Sequence, residues 1–575
     1  MGTLAETLTQ LVVEAAVRSG FAVPERPEPC VPCGNPDHGD YQSNLPFRMA
    51  KAAGKSPRDV AAALKGTIGD DPRLAGIEVA GPGFLNFRLT DTTLSDDLNA
   101  RAADPWLGTP QVGAGRTMVI DYSSPNIAKR MHVGHLRSTV IGNAIDRMYR
   151  FLGWRVIADN HLGDWGTQYG KLIVMWDEDR DEAAFEADPV GELQRLYQRF
   201  GEREKAEPVL IEAARAETAK LQRGDPRNVA LWRTFVEKSL VEFGGVYARL
   251  GVQFDVMLGE SFYRDELDRM VDRLLAEGVA EESEGAVVVR LEGKLANPPM
   301  LLRKRDGAAL YATTDLATIA YRERTWDPEL CVYVVDVRQK LHFEQVFATA
   351  ARLGHRARLA HVSFGMLKLS DGQVVATRQA GSSASLNLVD VFDTAVAHAR
   401  RVADELSGQL SDDERARIAE VLGVGAIRLA DLSQNPQSDI VFDWDKMLSL
   451  EGRTVTYLEY NYARVKSLFR KAGLDADAAP GAIVIGHPSE RTLGLALARF
   501  SEAVLDAANT WRPNVIADHL FGIAGAYAGF WRDCRVLADD VPPDVRASRL
   551  ALSHLTARTL ATGMKLLGVE PLERV

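Results

Sequence analysis

Apolar residues follow two rhythms along this chain. From Thr3 to Ser19 they recur every three to four positions, which predicts a helix; a second helical stretch runs from Asn44 to Ala63, with Ser56-Pro57 as a restart signal. "GIEVA" and "FLNFRL" read as strands flanking the Gly81-Pro82-Gly83 turn, so residues 1–112 are expected to form a small α+β unit. "DPWLGTPQVGAG", Asp104 to Gly115, has linker composition. Beyond it "TMVIDY" is a continuous apolar run of strand type. A Ser-Ser-Pro-Asn loop, a helical pattern from about Gly134 to Leu152 and a second strand with its loop, "WRVIADNHLGD", follow. Strand, loop, helix, strand is a βαβ unit; it predicts a parallel sheet whose ligands bind at the carboxyl ends of the strands.

The charged helical pattern of residues 177–225 reads as a solvated insertion. Strand signals resume at "CVYVVDV" and "ARLAHVSFGML". From about Ser385 onward the pattern is almost wholly helical, with long periodic segments at Leu388–Gln409, Ser411–Leu432 and Arg491–Ala508. The expected class is α/β. A small domain (1–112) precedes a Rossmann-like parallel-sheet domain (113–385) with its helical insertion near 177–240. A helical connecting region (386–435) then leads to an all-α domain (436–575).

Composition narrows the function classes. The 575 residues carry a net charge of −11, which argues against coating nucleic acid by bulk charge, though not against a local basic groove. No run of about 18 apolar residues predicts a membrane span, and the N-terminal residues lack a secretory pattern, so a cytoplasmic protein is expected. The four cysteines are too sparse for a disulfide framework. Cys30 and Cys33 form a lone CxxC without a second pair at finger-like spacing, so no zinc site is expected.

The stretch "SPNIAKRMHVGHLRST", Ser124 to Thr139, concentrates the candidate chemistry. Two histidines three apart lie on one helix face and are often mere surface. Zinc would want His at i, i+4 with Glu between. The phosphate reading has more support. His132 and His135 stand at a helix N-terminus after a buried strand, where free N–H groups and the dipole favour anions. Two imidazoles can donate to phosphate oxygens, Lys129 adds a point charge, and Gly134 lets a base or ribose approach the backbone.

"HVGH" resembles the HIGH signature of class I aminoacyl-tRNA synthetases. The longer run "SPNIAKRMHVGHLRSTVIGNAI…NHLGDWGTQYG" resembles arginyl-tRNA synthetase, as do "HGDYQSN", "GPGFLNF", "YATTDLA", "VRQKLHFEQVF", "HVSFGML", "FDWDKML", "YNYARVKS" and "LLGVEPLERV". The resemblance implies that ATP and L-arginine form arginyl-adenylate, and that the arginyl group passes to the 2′-hydroxyl of the terminal adenosine of tRNA(Arg). Mg2+ accompanies ATP, and activation needs bound tRNA. Carried over by motif, His132, Gly134, His135, Lys129 and Met366 would bind ATP. Asn126, Glu260, Tyr311, Asp315 and Gln339 would bind arginine. A guanidinium, planar and always charged, suits a pocket of carboxylates and neutral acceptors.

The chain departs from the family at the second class I signature. Its mobile lysine loop is replaced by "DGQVVATRQAGSS", in which only Arg378 keeps a positive charge. Lys129 is expected to take over the phosphate role, with Arg378 helping. A catalytically impaired tRNA-binding or regulatory paralogue is the alternative. Arg130 stands where the family usually has proline. Residues 431–575 hold 16 Lys and Arg against 18 Asp and Glu, so charge alone gives no RNA signal. Tyr460 and Arg464 are the leading tRNA candidates, with Asn86 and Tyr41 as further ones. A monomer is expected.

Overall fold

The computed structural model describes residues 2–305, 307–368, 387–406, 410–441, 452–475 and 481–574. Arg378 and the rest of "DGQVVATRQAGSS", together with "FDWDKML", lie outside the described residues. Contacts divide the chain into two units, Gly113–Leu448 and a second made of Met1–Val112 with Ser449–Val575.

In the unit Gly113–Leu448 the strands expected at "TMVIDY", "WRVIAD", "CVYVVDV" and "ARLAHVSF" form one parallel sheet, at Thr117–Asp121, Arg155–Asp159, Leu330–Asp336 and Arg358–Phe364. Numbered along the chain, their spatial order is 4-3-1-2. The order reverses between the first and third strands, which are neighbours with Asp121 opposite Tyr333. In open α/β sheets that reversal leaves a crevice beyond the carboxyl ends of the strands. The helix Val133–Phe151 connects the first two strands. Below the crevice a buried Arg322 donates to Asp121 at 2.6 Å and to Asp159 at 2.7 Å, tying the ends of strands one and two together.

Five helices, Gln168–Asp179, Glu182–Ala187, Pro189–Arg203, Val209–Gln222 and Pro226–Leu250, make up the insertion. Three short strands, Glu281–Ser283, Ala286–Val289 and Met300–Arg303, form an antiparallel sheet that hydrophobic patterning does not reveal. They are three or four residues long, and "EES" carries no apolar residue.

In the other unit a four-stranded antiparallel sheet (Val31–Pro32, Tyr41–Ser43, Phe84–Leu89, Leu74–Ala80, in that order) is covered by helices including Leu4–Arg18 and Pro57–Ile68. The helical part comprises Val455–Ala472, Pro488–Ala498, Phe500–Thr510, Asn514–Asp533 and Pro543–Leu566. The segment Arg491–Ala508, periodic enough to predict one helix, is two, with Arg499 between them. Arg499 lies 5.1 Å over the Tyr41 ring and donates to the Asp40 carbonyl, so the break serves a contact with the small sheet.

Candidate active site

His132 is the N-cap of the helix Val133–Phe151. Its Nδ1 accepts from the Gly134 N–H at 3.0 Å, while His135 Nδ1 accepts from the His132 N–H at 3.2 Å. The helix terminus expected to offer free N–H groups thus has these two occupied by imidazoles. An imidazole that accepts at Nδ1 carries its proton on Nε2, so each ring presents an Nε2–H donor. The His132 Nε2 is buried with no hydrogen-bond partner among the described residues. The two rings lie 4.1 Å apart. Burial, then the Lys129 charge, pushes His132 down to about 4; burial, then His132, pushes His135 down to about 3. Both are neutral donors at physiological pH.

Gly134 has a nearer reason to be glycine than the approach of a base. A Cβ there would sit 2.6 Å from His132 Cε1, so its absence seats the imidazole. Around the pair the crevice is lined by Ser123 and Ser124 after strand one, Val334 to Gln339 except Val337 at the end of strand three, and Phe364 to Met366 at the end of strand four and just past it. This is the switch point of the sheet. Met366, expected near ATP, and Gln339, expected near arginine, therefore line one crevice with His132, Gly134 and His135.

The loop leading to the histidines holds an unusual backbone. Ser123, Ser124 and Ala128 have φ of 76°, 47° and 61°, a region costly for residues other than glycine. Side chains over-determine it: the Ser123 N–H donates to Ser138 Oγ, the Ser124 N–H to Asn160 Oδ1, and the Ala128 N–H to Ser239 Oγ. Asn126 packs against Gly163, where a Cβ would come 2.2 Å from its Oδ1.

The two acidic residues expected to bind arginine, Asp315 at its guanidinium and Glu260 at either end, lie close enough to interact. Glu260 opens the helix Glu260–Ala276, and Asp315 lies one turn after Tyr311 on Tyr311–Trp326. Burial, then Asp164, then Asp315 raise Glu260 to about 8. Sequence reasoning missed two members. Asp164 accepts from the Ser261 N–H and hydroxyl at 2.8 and 2.6 Å, and burial raises its carboxyl. His342 Nε2 lies 2.6 Å from Asp315 Oδ2. Asp164 was legible as a carboxylate just past the carboxyl end of strand two; His342 follows Gln339 by one helical turn. His342 stands three residues after Gln339, which lines the crevice, and Asp164 follows Gly163, against which Asn126 packs. Arg137, also missed, is buried beside the crevice; it pairs with Asp431 at 3.1 Å and donates to the carbonyls of Gly365, Ser438 and Pro436.

Of the tRNA candidates, Tyr460 is exposed and Arg464 lies 4.6 Å over its ring and 5.6 Å from that of exposed Trp531. Tyr41 and Asn86 require correction. Both are buried on the small sheet, and the Tyr41 hydroxyl donates to Glu502 at 2.9 Å, so neither side chain faces a nucleic acid.

A histidine pair that opens a helix at the switch point of a parallel sheet is the arrangement expected of a class I aminoacyl-tRNA synthetase core. The family model "tRNA synthetases class I (R), catalytic domain" matches residues 102–444, "DALR anticodon binding domain" matches 458–575 and "Arginyl tRNA synthetase N terminal domain" matches 3–89. The chain belongs to the arginyl-tRNA synthetase family. It is 44% identical to the arginine–tRNA ligase of Frankia casuarinae, over 94% of each chain. Against that of Pseudomonas syringae pv. tomato it is 40% identical, over 99% of this chain and 100% of the relative. The crystal structure of arginyl-tRNA synthetase from Plasmodium falciparum superposes with a TM-score of 0.85 at 25% identity, and that from Thermus thermophilus with 0.82 at 25%, each covering 100% of both chains.

Proposed function

We infer that this chain is an arginine–tRNA ligase. An oxygen of the arginine carboxylate attacks the α-phosphorus of ATP, the bond to pyrophosphate breaks, and arginyl-adenylate forms. The 2′-hydroxyl of the 3′-terminal adenosine of tRNA(Arg) then attacks the arginyl carbonyl and AMP leaves. The observation that carries this reading is the acidic cluster of Glu260, Asp164 and Asp315, with His342 on Asp315, in the same unit as the crevice lined by His132, His135 and Gln339.

In this reading His132 and His135 donate their Nε2–H groups to phosphate oxygens that gain charge during transfer. Neutral, buried donors suit that task because they need not exchange protons with solvent to act. Lys129 supplies the positive charge that the family's loop lysines give elsewhere, with Arg378 as its helper. Met366 flanks the nucleotide. Asn126 meets the amino-acid end of arginine, while Tyr311, Asp315, Glu260 and Gln339 take the guanidinium side. Mg2+ enters bound to the ATP phosphates, as part of the substrate. Tyr460, Arg464 and Trp531 form a stacking platform for unpaired tRNA bases. A cytoplasmic monomer completes the proposal.

Arginine- and tRNA-dependent exchange of pyrophosphate into ATP tests it. Exchange with arginine and tRNA(Arg) present is the expected result. Intact arginine binding without exchange would favour an impaired paralogue, and exchange with another amino acid but not arginine would overturn the specificity. Lys129→Ala should lower the exchange rate at least about tenfold with arginine affinity little changed, as for other lost transition-state contacts.

A further inference from the structure

The helical insertion grips the loop that carries Lys129. The Lys129 ammonium lies 4.5 Å from the ring centroid of Tyr197, on the helix Pro189–Arg203. The neighbouring Arg130, standing where proline is usual, is fixed from the same helix and its cap. Its guanidinium pairs with Asp188, and its N–H donates to Gln194 Oε1 at 3.3 Å. Gly191 makes room for that pair: a Cβ there would sit 2.2 Å from Asp188 Oδ2 and 2.8 Å from Arg130 Nη2.

The proline's backbone stiffness is thus replaced by side-chain attachment. Proline would restrict φ but could not choose where the preceding lysine points. A cation over an aromatic face is attracted to it while its hydrogens remain able to bond elsewhere. Lys129 stands three residues before His132 on the loop that enters the crevice-lining helix.

We propose that Tyr197 is a positioning residue for activation: its ring face holds the Lys129 ammonium on the loop that leads into His132, from which it meets the phosphates of bound ATP, while Asp188 and Gln194 of the same insertion fix the next residue of that loop. This rests on the reading of Lys129 as a phosphate contact. The insertion thereby belongs to the catalytic apparatus through Tyr197, which acts by way of Lys129.

The test is steady-state pyrophosphate exchange by the full-length protein with tRNA and arginine present. Tyr197→Leu is expected to lower kcat about threefold to tenfold, a cation–π-sized effect, with the KM for arginine unchanged. Tyr197→Phe and Tyr197→Trp, which keep a ring face, should stay within about twofold of the parent. In a Lys129→Ala background, Tyr197→Leu should add less than about twofold, because the interaction it disrupts is already gone. Multiplicative losses, or Tyr197→Phe as impaired as Tyr197→Leu, would show that Tyr197 only stabilises the insertion and would overturn the proposal. A normal rate for Tyr197→Leu beside an impaired Lys129→Ala would also overturn it, leaving the phosphate role of Lys129 intact. A normal rate for Lys129→Ala would instead remove that role, and the proposal with it.

Discussion

Glu260 has a carboxyl raised to about 8 because it is buried beside Asp164 and Asp315. A bound guanidinium reverses the balance, since a positive charge favours the ionised form. The arginine complex therefore holds fewer protons than the free protein, and arginine affinity should rise with pH up to about 8 and level off above it. Between about pH 6 and about pH 8 the KM for arginine should fall, by no more than about tenfold per unit for one proton. Glu260→Gln should flatten that profile, and an unchanged slope would place the titrating group elsewhere. The histidines behave differently at this scale. Burial holds both well below neutrality, so the two histidines should not contribute a transition near pH 7. Their presence was legible in "HVGH"; their tautomers were not, because each is set by a backbone N–H that becomes available only when the helix ends there.

Among the elements, the helix Val133–Phe151 carries both the histidine pair at its start and the anchor that orients it. Arg137, four residues after Val133, reaches the helix Asp412–Leu432 through Asp431, and reaches the carbonyls beside Met366 and Asp439. Both charges are almost wholly buried, at 1% and 4% exposure. Deleting one partner of such a pair leaves the other uncompensated, so Arg137→Met should cost about 3–5 kcal/mol in denaturant unfolding. The matched double change Arg137→Met, Asp431→Leu should recover part of that loss. If Arg137→Met unfolds like the parent, the pair does not brace the helix. The sequence predicted this helix to within a residue, since its apolar period is regular. It could not announce the Arg137–Asp431 pair, whose members are 294 positions apart.

The unit that joins the N-terminal sheet to the helical C-terminal part depends on "HGDYQSN". Asp40 pairs with Arg491 at 2.6 Å, Tyr41 donates to Glu502, and the Ala5 N–H donates to the same carboxylate at 3.1 Å. Burial raises Glu502 to about 7, so its partners matter for keeping it ionised. The motif therefore acts as a seam between two parts distant in sequence. Tyr41→Phe should lower stability by about 0.5–1.5 kcal/mol, the range for one hydrogen bond whose acceptor keeps another donor, here the Ala5 N–H, while leaving tRNA affinity unchanged. Arg464→Ala should do the opposite: weaken tRNA binding about tenfold through lost stacking, with arginine-binding and thermal stability little altered. Reversal of the two results would restore Tyr41 as an RNA contact.

By itself the sequence determined the parallel sheet, the helical C-terminal part and the histidine pair at the start of the helix after strand one, because apolar period and motif spacing are local properties of the chain. Only the tertiary structure decided which polar groups meet. It buried Tyr41 and Asn86, gathered Asp164 and His342 around Glu260 and Asp315, and set Tyr197 beside Lys129. Those contacts join residues tens to hundreds of positions apart, and their energies depend on burial. A residue's type states what it can bond to; what surrounds it, and whether water is excluded, is fixed only when the chain packs.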